Sequence, residues 1–213
     1  MQVPGIDGCK GGWIGILTDP SFSAPRAIGT CLAGMIAGSM AEVVVTDMPV
    51  GLSATESPRR CDVAARGVLR CKVSPVFNTP IRPVLEAVSY DDTSDISRRV
   101  TGKGLSRQAW GILPRIREGH PELSFALADH GQPVPASKKS RKGQPLRLQI
   151  LSGAGFRIEN LDLANLPPRT ALDHLIDAAI MAWSAIRLAE DRACLFPDTL
   201  LCDDHGLPMQ MVA

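Results

Sequence analysis

Three aspartates stand where acid chemistry on a phosphate ester would need them. Asp7 closes the short apolar run Val3-Pro4-Gly5-Ile6, and Asp47 closes Val43-Val44-Val45-Thr46. Asp177 lies inside the apolar stretch Leu175-Ile176-Asp177-Ala178-Ala179-Ile180. Two strand-end acids and one helix acid, far apart in the chain, could converge on one divalent cation. Mg2+ or Mn2+ takes oxygen ligands and keeps several waters, so a few carboxylates suffice. Two such ions ~3.5–4 Å apart would activate an attacking water and stabilise the leaving oxygen of a phosphodiester. Asp173 precedes Asp177 by one helical turn, shares its face, and is a further metal candidate.

Other residues could complete such a site. Glu122, in His120-Pro121-Glu122, is a fourth acid that could extend it, and His120 could contact substrate. The densest basic stretch, Ser137-Lys138-Lys139-Ser140-Arg141-Lys142-Gly143, could grip phosphates through Lys138 and Lys139. Lys10 beside Gly11-Gly12 and Arg66 on a basic helix face are further phosphate candidates. Each acid also has a plainer reading. Asp7-Gly8 suits a hairpin turn, Asp47 before Met48-Pro49 suits a local backbone bond, and Thr170 with Asp173 fits a capping box. Asp177 resists such a reading. Leu172, Leu175, Ile176, Ala179, Ile180, Trp183 and Ile186 form one apolar stripe, while Ala178, Met181, Ala185 and Leu188 make the opposite side apolar too. Such a helix is buried, and a buried carboxylate is costly unless paired, hydrogen-bonded or metal-bound.

The elements that must hold these residues follow from patterning. Residues 2–7 and 13–18 read as strands joined by a glycine-rich turn. Residues 27–32 read as a third strand, 35–40 as a short helix, and 43–45 as a β-branched strand buried on both faces. Residues 57–66 read as a helix opened by Ser57-Pro58, and 105–118 as a second one divided by Pro114. Residues 120–125 read as a returning strand, 132–143 as a polar loop, and 146–152 and 172–189 as helices. The tail around 198–213 reads as a hairpin. Three strands leading into alternating helices and strands is the order of the ribonuclease H-like α/β fold, a mixed sheet in which the first and fourth strands are neighbours. Neighbouring strands lie ~4.8 Å apart, so acids on both could share a cation.

Composition narrows the class. The chain has 213 residues with 45% hydrophobic and 21% charged content, enough for one globular core. We expect a single domain over 1–213, with a helical insertion around 55–118 and the terminal hairpin. A formal net charge of +1 gives no global field toward nucleic acid or membrane. Nothing approaches the ~20 apolar residues of a membrane span. The six cysteines form no Cys-x-x-Cys pair, which argues against a zinc site and for reduced thiols in a cytoplasmic protein. Aromatic content of 4% is too low for a base-stacking platform.

In Gly5-Ile6-Asp7-Gly8-Cys9-Lys10-Gly11-Gly12-Trp13, Asp47-Met48-Pro49-Val50-Gly51-Leu52 and Arg60-Cys61-Asp62-Val63-Ala64-Ala65-Arg66 the chain resembles the DUF429 family, described as predicted ribonuclease H-like nucleases. Leu105-Ser106-Arg107-Gln108, His120-Pro121-Glu122-Leu123-Ser124-Phe125, Ser137-Lys138-Lys139 and Asp177-Ala178-Ala179 continue the match in order. The resemblance implies the same fold and catalytic roles for Asp7, Asp47 and Asp177, with Glu122 beside them. It points to a metal-dependent nuclease acting on nucleic acid or a small phosphorylated substrate. Two other readings stand beside it. One is a nucleotide-binding phosphotransferase or ATPase of the sugar-kinase and actin-like group, with Lys10-Gly11-Gly12 cradling phosphate. The other is a non-catalytic binding protein, and a homodimer could cover the apolar back of the last helix.

Overall fold

The computed structural model describes residues 2–9, 12–22, 25–30, 32, 35, 41, 43–55, 57–70, 76–86, 90–102, 117–163, 166, 170–204 and 206–213. The chain opens with β1 (Val3–Cys9), β2 (Gly12–Thr18) and β3 (Arg26–Thr30), then β4 (Val45–Thr46) and α1 (Arg60–Leu69). After α2 (Tyr90–Thr101) come β5 (Arg117–Gly119), α3 (Pro121–Ala128), α4 (Gly143–Gly153) and α5 (Leu172–Ala189). The tail adds β6 (Leu195–Phe196) and β7 (Met211–Val212). One sheet holds all seven strands, in the order β3-β2-β1-β4-β5-β7-β6. β1, β2 and β3 form an antiparallel meander, whereas β4, β5 and β7 run parallel to β1. The first five strands have the ribonuclease H-like order expected from the sequence.

The meander forms because β1 and β2 alternate into two packed layers and meet at Cys9 and Gly12, whose φ of 130° a side chain would strain. α5 supplies the largest share of the core. Its residues Leu175, Ile176 and Ala178 to Ala182 are all buried against Val3, Ile14, Ile16 and Val45. The helix lies closer than ordinary side chains would permit. A Cβ at Gly5 would sit 1.9 Å from the Ala182 nitrogen, and one at Gly119 would sit 2.8 Å from the Met181 sulfur. Glycine on β1 and on β5 thus lets the helix backbone rest on the sheet.

Several expectations are corrected. Residues 120–125 are not a strand: His120 is the N-cap of α3 and Pro121 opens it, because proline at the first helical position needs no amide partner. The strand is the preceding Arg117–Gly119, which carries almost no apolar signal. The expected helix over 105–118 ends in this strand at 117–118, and its remainder lies outside the described residues. The expected helix over 35–40 lies outside them except for Met35. α1 begins three residues later than Ser57-Pro58 suggested, because the Asp62 carboxylate accepts the Arg59 amide at 2.8 Å. Thr170 is not the cap of α5. Ala171 is, and it makes no side-chain cap bond, so Asp173 closes no capping box. The tail does turn back on itself, through Met209 N to Leu201 O (2.7 Å) and Asp203 N to Leu207 O (2.9 Å). Its last strand then joins the main sheet beside β5.

Candidate metal centre

The parallel register decides which acids can meet. Ile6 of β1 stands opposite Thr46 of β4, and the Asp47 amide donates to the Ile6 carbonyl at 3.1 Å. Asp7, within β1 and opposite Ile14 of β2 rather than in a turn, and Asp47, just after β4, therefore stand side by side. Thr46 in turn stands opposite Glu118, so His120 follows β5 at the same edge. The carboxyl ends of parallel strands are where open α/β sheets place their sites. α5 reaches this edge through its close contact at Gly5. From Ala182 to Asp177 the helix advances about 7.5 Å at ~1.5 Å per residue. From Gly5 to Asp7 the strand advances about 6.6 Å at ~3.3 Å per residue. The two runs bring Asp177 and Asp7 to one place.

Side-chain contacts link these elements. His174, one turn before Asp177, pairs through Nδ1 with Asp7 Oδ2 at 2.8 Å. Lys138 Nζ donates to Asp177 Oδ2 from the loop before α4. Asp177 is 1% exposed, and its Oδ1 has no hydrogen-bond partner among the described residues. The buried His120 Nδ1 likewise has none.

The field in this cluster follows from burial and like charge. Burial raises Asp177 to about 7; Lys138 opposes that rise, while Asp7 and Asp47 add to it. Burial likewise raises Asp47 to about 6, with His120 opposing and Asp7 adding. The hydrogen bond that His174 gives to Asp7 raises His174, against partial burial. Burial alone would lower Lys138, yet the Asp177 carboxylate, backed by Asp47 and Asp7, carries it above its ordinary value. Three acids thus share one field.

The remaining candidates lie elsewhere. Glu122 is on α3, where its Oε1 takes the Arg147 guanidinium at 2.5 Å. Asp173 is half-buried in the first turn of α5 and adds to the field on His174. Arg66 directs its guanidinium to the Val76 carbonyl (2.8 Å) and Asn78 Oδ1 (2.7 Å). Lys139 is exposed. Lys10 lies outside the described residues. His174 was overlooked in the sequence, although its spacing of three from Asp177 puts both on one face.

A second buried acidic group lies behind the first. Cys61, Asp62 and Glu118 are the only three described residues whose metal-ligating atoms all lie within 4.8 Å of one another, and such a group could hold a metal ion. A cation already fills it. The Arg59 guanidinium bonds Asp62 Oδ1 (2.7 Å), Glu118 Oε1 (2.5 Å) and the Gly51 carbonyl (2.6 Å). Burial pushes the Cys61 thiol far up, which disfavours the thiolate a metal needs. We read this group as a brace. Glu118 Oε2 accepts the Val50 amide at 3.0 Å, and the Asp203 carboxylate accepts that of Leu52 at 2.9 Å. At Gly51 a Cβ would meet the Pro208 carbonyl oxygen at 2.5 Å. The segment that follows Asp47 is thereby fixed.

Fold and acid edge together define a ribonuclease H-like α/β protein with neighbouring carboxylates in β1, just after β4 and on the last long helix. The family model for DUF429, a protein family of unknown function, matches residues 5–200, and the chain belongs to that family. No curated protein and no solved structure matches the chain.

Proposed function

We propose that the chain is a divalent-metal-dependent phosphodiesterase acting on nucleic acid. The observation that carries this reading is that Asp7 and Asp47 both act on the charge of buried Asp177, whose Oδ1 has no partner among the described residues. The donor set suits Mg2+ or Mn2+, since the three acids offer only hard oxygens, and burial together with the charge of Asp7 raises both Asp47 and Asp177. Asp7, Asp47 and Asp177 would hold the ion, which when bound supplies Lewis-acid activation of water and of the scissile phosphate. His174 Nδ1 donates to Asp7, which favours the imidazolium, and that form would offer its Nε2 proton to the leaving oxygen. His120 favours the ionised form of Asp47. Exposed Lys139, Arg141 and Lys142 offer phosphate contacts beside the acids.

Among the described residues no helix is long and apolar enough to cross a membrane. Cys9, Cys61, Cys194 and Cys202 are free thiols, which accords with a reducing compartment.

The test is cleavage of labelled single-stranded, duplex and structured DNA and RNA with Mn2+ or Mg2+. The reading expects metal-dependent cleavage that Asp7→Asn abolishes while the circular dichroism spectrum is kept. Cleavage by Asp7→Asn equal to that of the wild type would refute it.

A further inference from the structure

Lys138 is held on a backbone that has little freedom to move. Ser137 O accepts the Ser140 amide at 2.9 Å and the Ser140 hydroxyl at 2.8 Å, and Ser140 Oγ accepts the Gly143 amide at 2.9 Å. A Cβ at Gly143 would lie 1.8 Å from the Ser137 carbonyl oxygen, so the turn closes only on glycine. From beneath, buried Arg147 ties the Ala136 and Gly143 carbonyls together, each at 3.0 Å. Arg147 is itself held by Glu122 and lies over the Phe125 ring, 5.5 Å from its centroid. Glu122 therefore supports the loop that carries Lys138.

The lysine side chain reaches solvent where its partner does not. It is 35% exposed, whereas its partner carboxylate is 1% exposed. The described charged and titratable groups facing it are Asp177 and His174 on α5, Asp7 on β1 and Asp47 after β4. Among them its ammonium is the one lysine or arginine charge. Asp177 offers two oxygens to this space: one holds Lys138, and the other is unpartnered. Moreover, Asp7, Asp47 and Asp177 do not bring their ligand atoms within 4.8 Å of one another. A primary ammonium standing among them fits that wider spacing.

We propose that Lys138 is an internal counter-ion of the acid site, which a divalent cation must displace from Asp177 and which is thereby released toward substrate phosphate. The proposal rests on the metal-site reading above. A compact ammonium on a flexible stem suits such an exchange, since it binds carboxylate and phosphate alike as a point charge. Cation and lysine compete for Asp177, and like charges a few ångströms apart repel strongly in a poorly solvated site. Metal affinity is accordingly held down until a phosphate offers Lys138 another partner.

The test is Mn2+ titration by calorimetry at about pH 8 and about pH 9, because Lys138 lowers Asp177 and its removal moves the ionisation of that acid upward. Lys138→Met and Lys138→Gln are compared with the wild type and with Asp177→Asn. Removal of the competing charge should tighten Mn2+ binding by about tenfold or more in both lysine variants. Unchanged circular dichroism would check that both variants fold. If either lysine variant bound Mn2+ no tighter than the wild type, while Asp177→Asn lost binding, the counter-ion role would be overturned and the site reading would stand. If neither wild type nor lysine variants bound Mn2+, the site reading would fall and this inference with it.

Discussion

Asp177→Asn should make the metal-free protein more stable, although it removes a buried ion pair. Asp177 ordinarily titrates near 3.8 but is raised to about 7 in the fold, because burial outweighs the attraction of Lys138. The folded state therefore binds this proton more tightly than the unfolded chain does. The stability that this protonation contributes is complete below pH 3.8 and is lost as pH rises through about 7. A shift of ~3 units at ~1.4 kcal/mol per unit sets a ceiling of about 4 kcal/mol on the cost of ionising Asp177 at pH 8. Asparagine keeps the shape without the charge, and Lys138 can turn to solvent or to Asp7 and Asp47. We expect a gain of about 1–4 kcal/mol at pH 8, or about 3–12 °C in Tm, and almost no gain near pH 4. The assay is thermal unfolding of wild type and variant across this range without metal. Added Mn2+ should then raise the Tm of the wild type and leave that of the variant unmoved. Destabilisation of the variant at pH 8 would refute the reasoning, since the Lys138 pair would then outweigh the burial of the charge.

Two further outcomes separate structural from metal-binding acids. Glu118→Gln leaves the buried Arg59 without half of its compensation and loosens Val50, so stability should fall by about 3–5 kcal/mol, measured by urea unfolding. Glu122→Gln weakens only the support of the Lys138 loop. It should cost about 1–3 kcal/mol in the same measurement, with Mn2+ affinity by calorimetry kept within about twofold, since no metal-ligating atom is removed. A loss of metal binding in Glu122→Gln would restore it as a ligand candidate.

What could be read from the sequence depended on whether the information was local. α5 was legible over its full length because its eighteen residues carry an apolar stripe at helical spacing with few polar interruptions. Asp177 inside it was conspicuous for the same reason. β1 and β2 were legible from the glycine-rich turn between two apolar runs. β5 was not, because its three residues are Arg117, Glu118 and Gly119, chosen by partners distant in the chain. Glu118 answers Arg59, and Gly119 yields to Val45 and Met181. Residues 120–125 were misread because Pro121, Leu123 and Phe125 alternate with polar residues as in a strand, and only proline at the first helical position marked the start of α3. The acid edge was foreseen through strand adjacency, whereas Lys138 at its centre was foreseen only as a phosphate contact. A loop residue that folds back onto a helix 39 positions away leaves no trace in local pattern.

The central claim is that Asp7, Asp47 and Asp177 form one cation site. Mn2+ titration by calorimetry of the wild type and of Asp7→Asn and Asp47→Asn tests it most directly. The account predicts saturable binding by the wild type that either substitution reduces by about tenfold or more, with the fold intact. Binding of undiminished affinity in both variants, or no binding by the wild type, would contradict it.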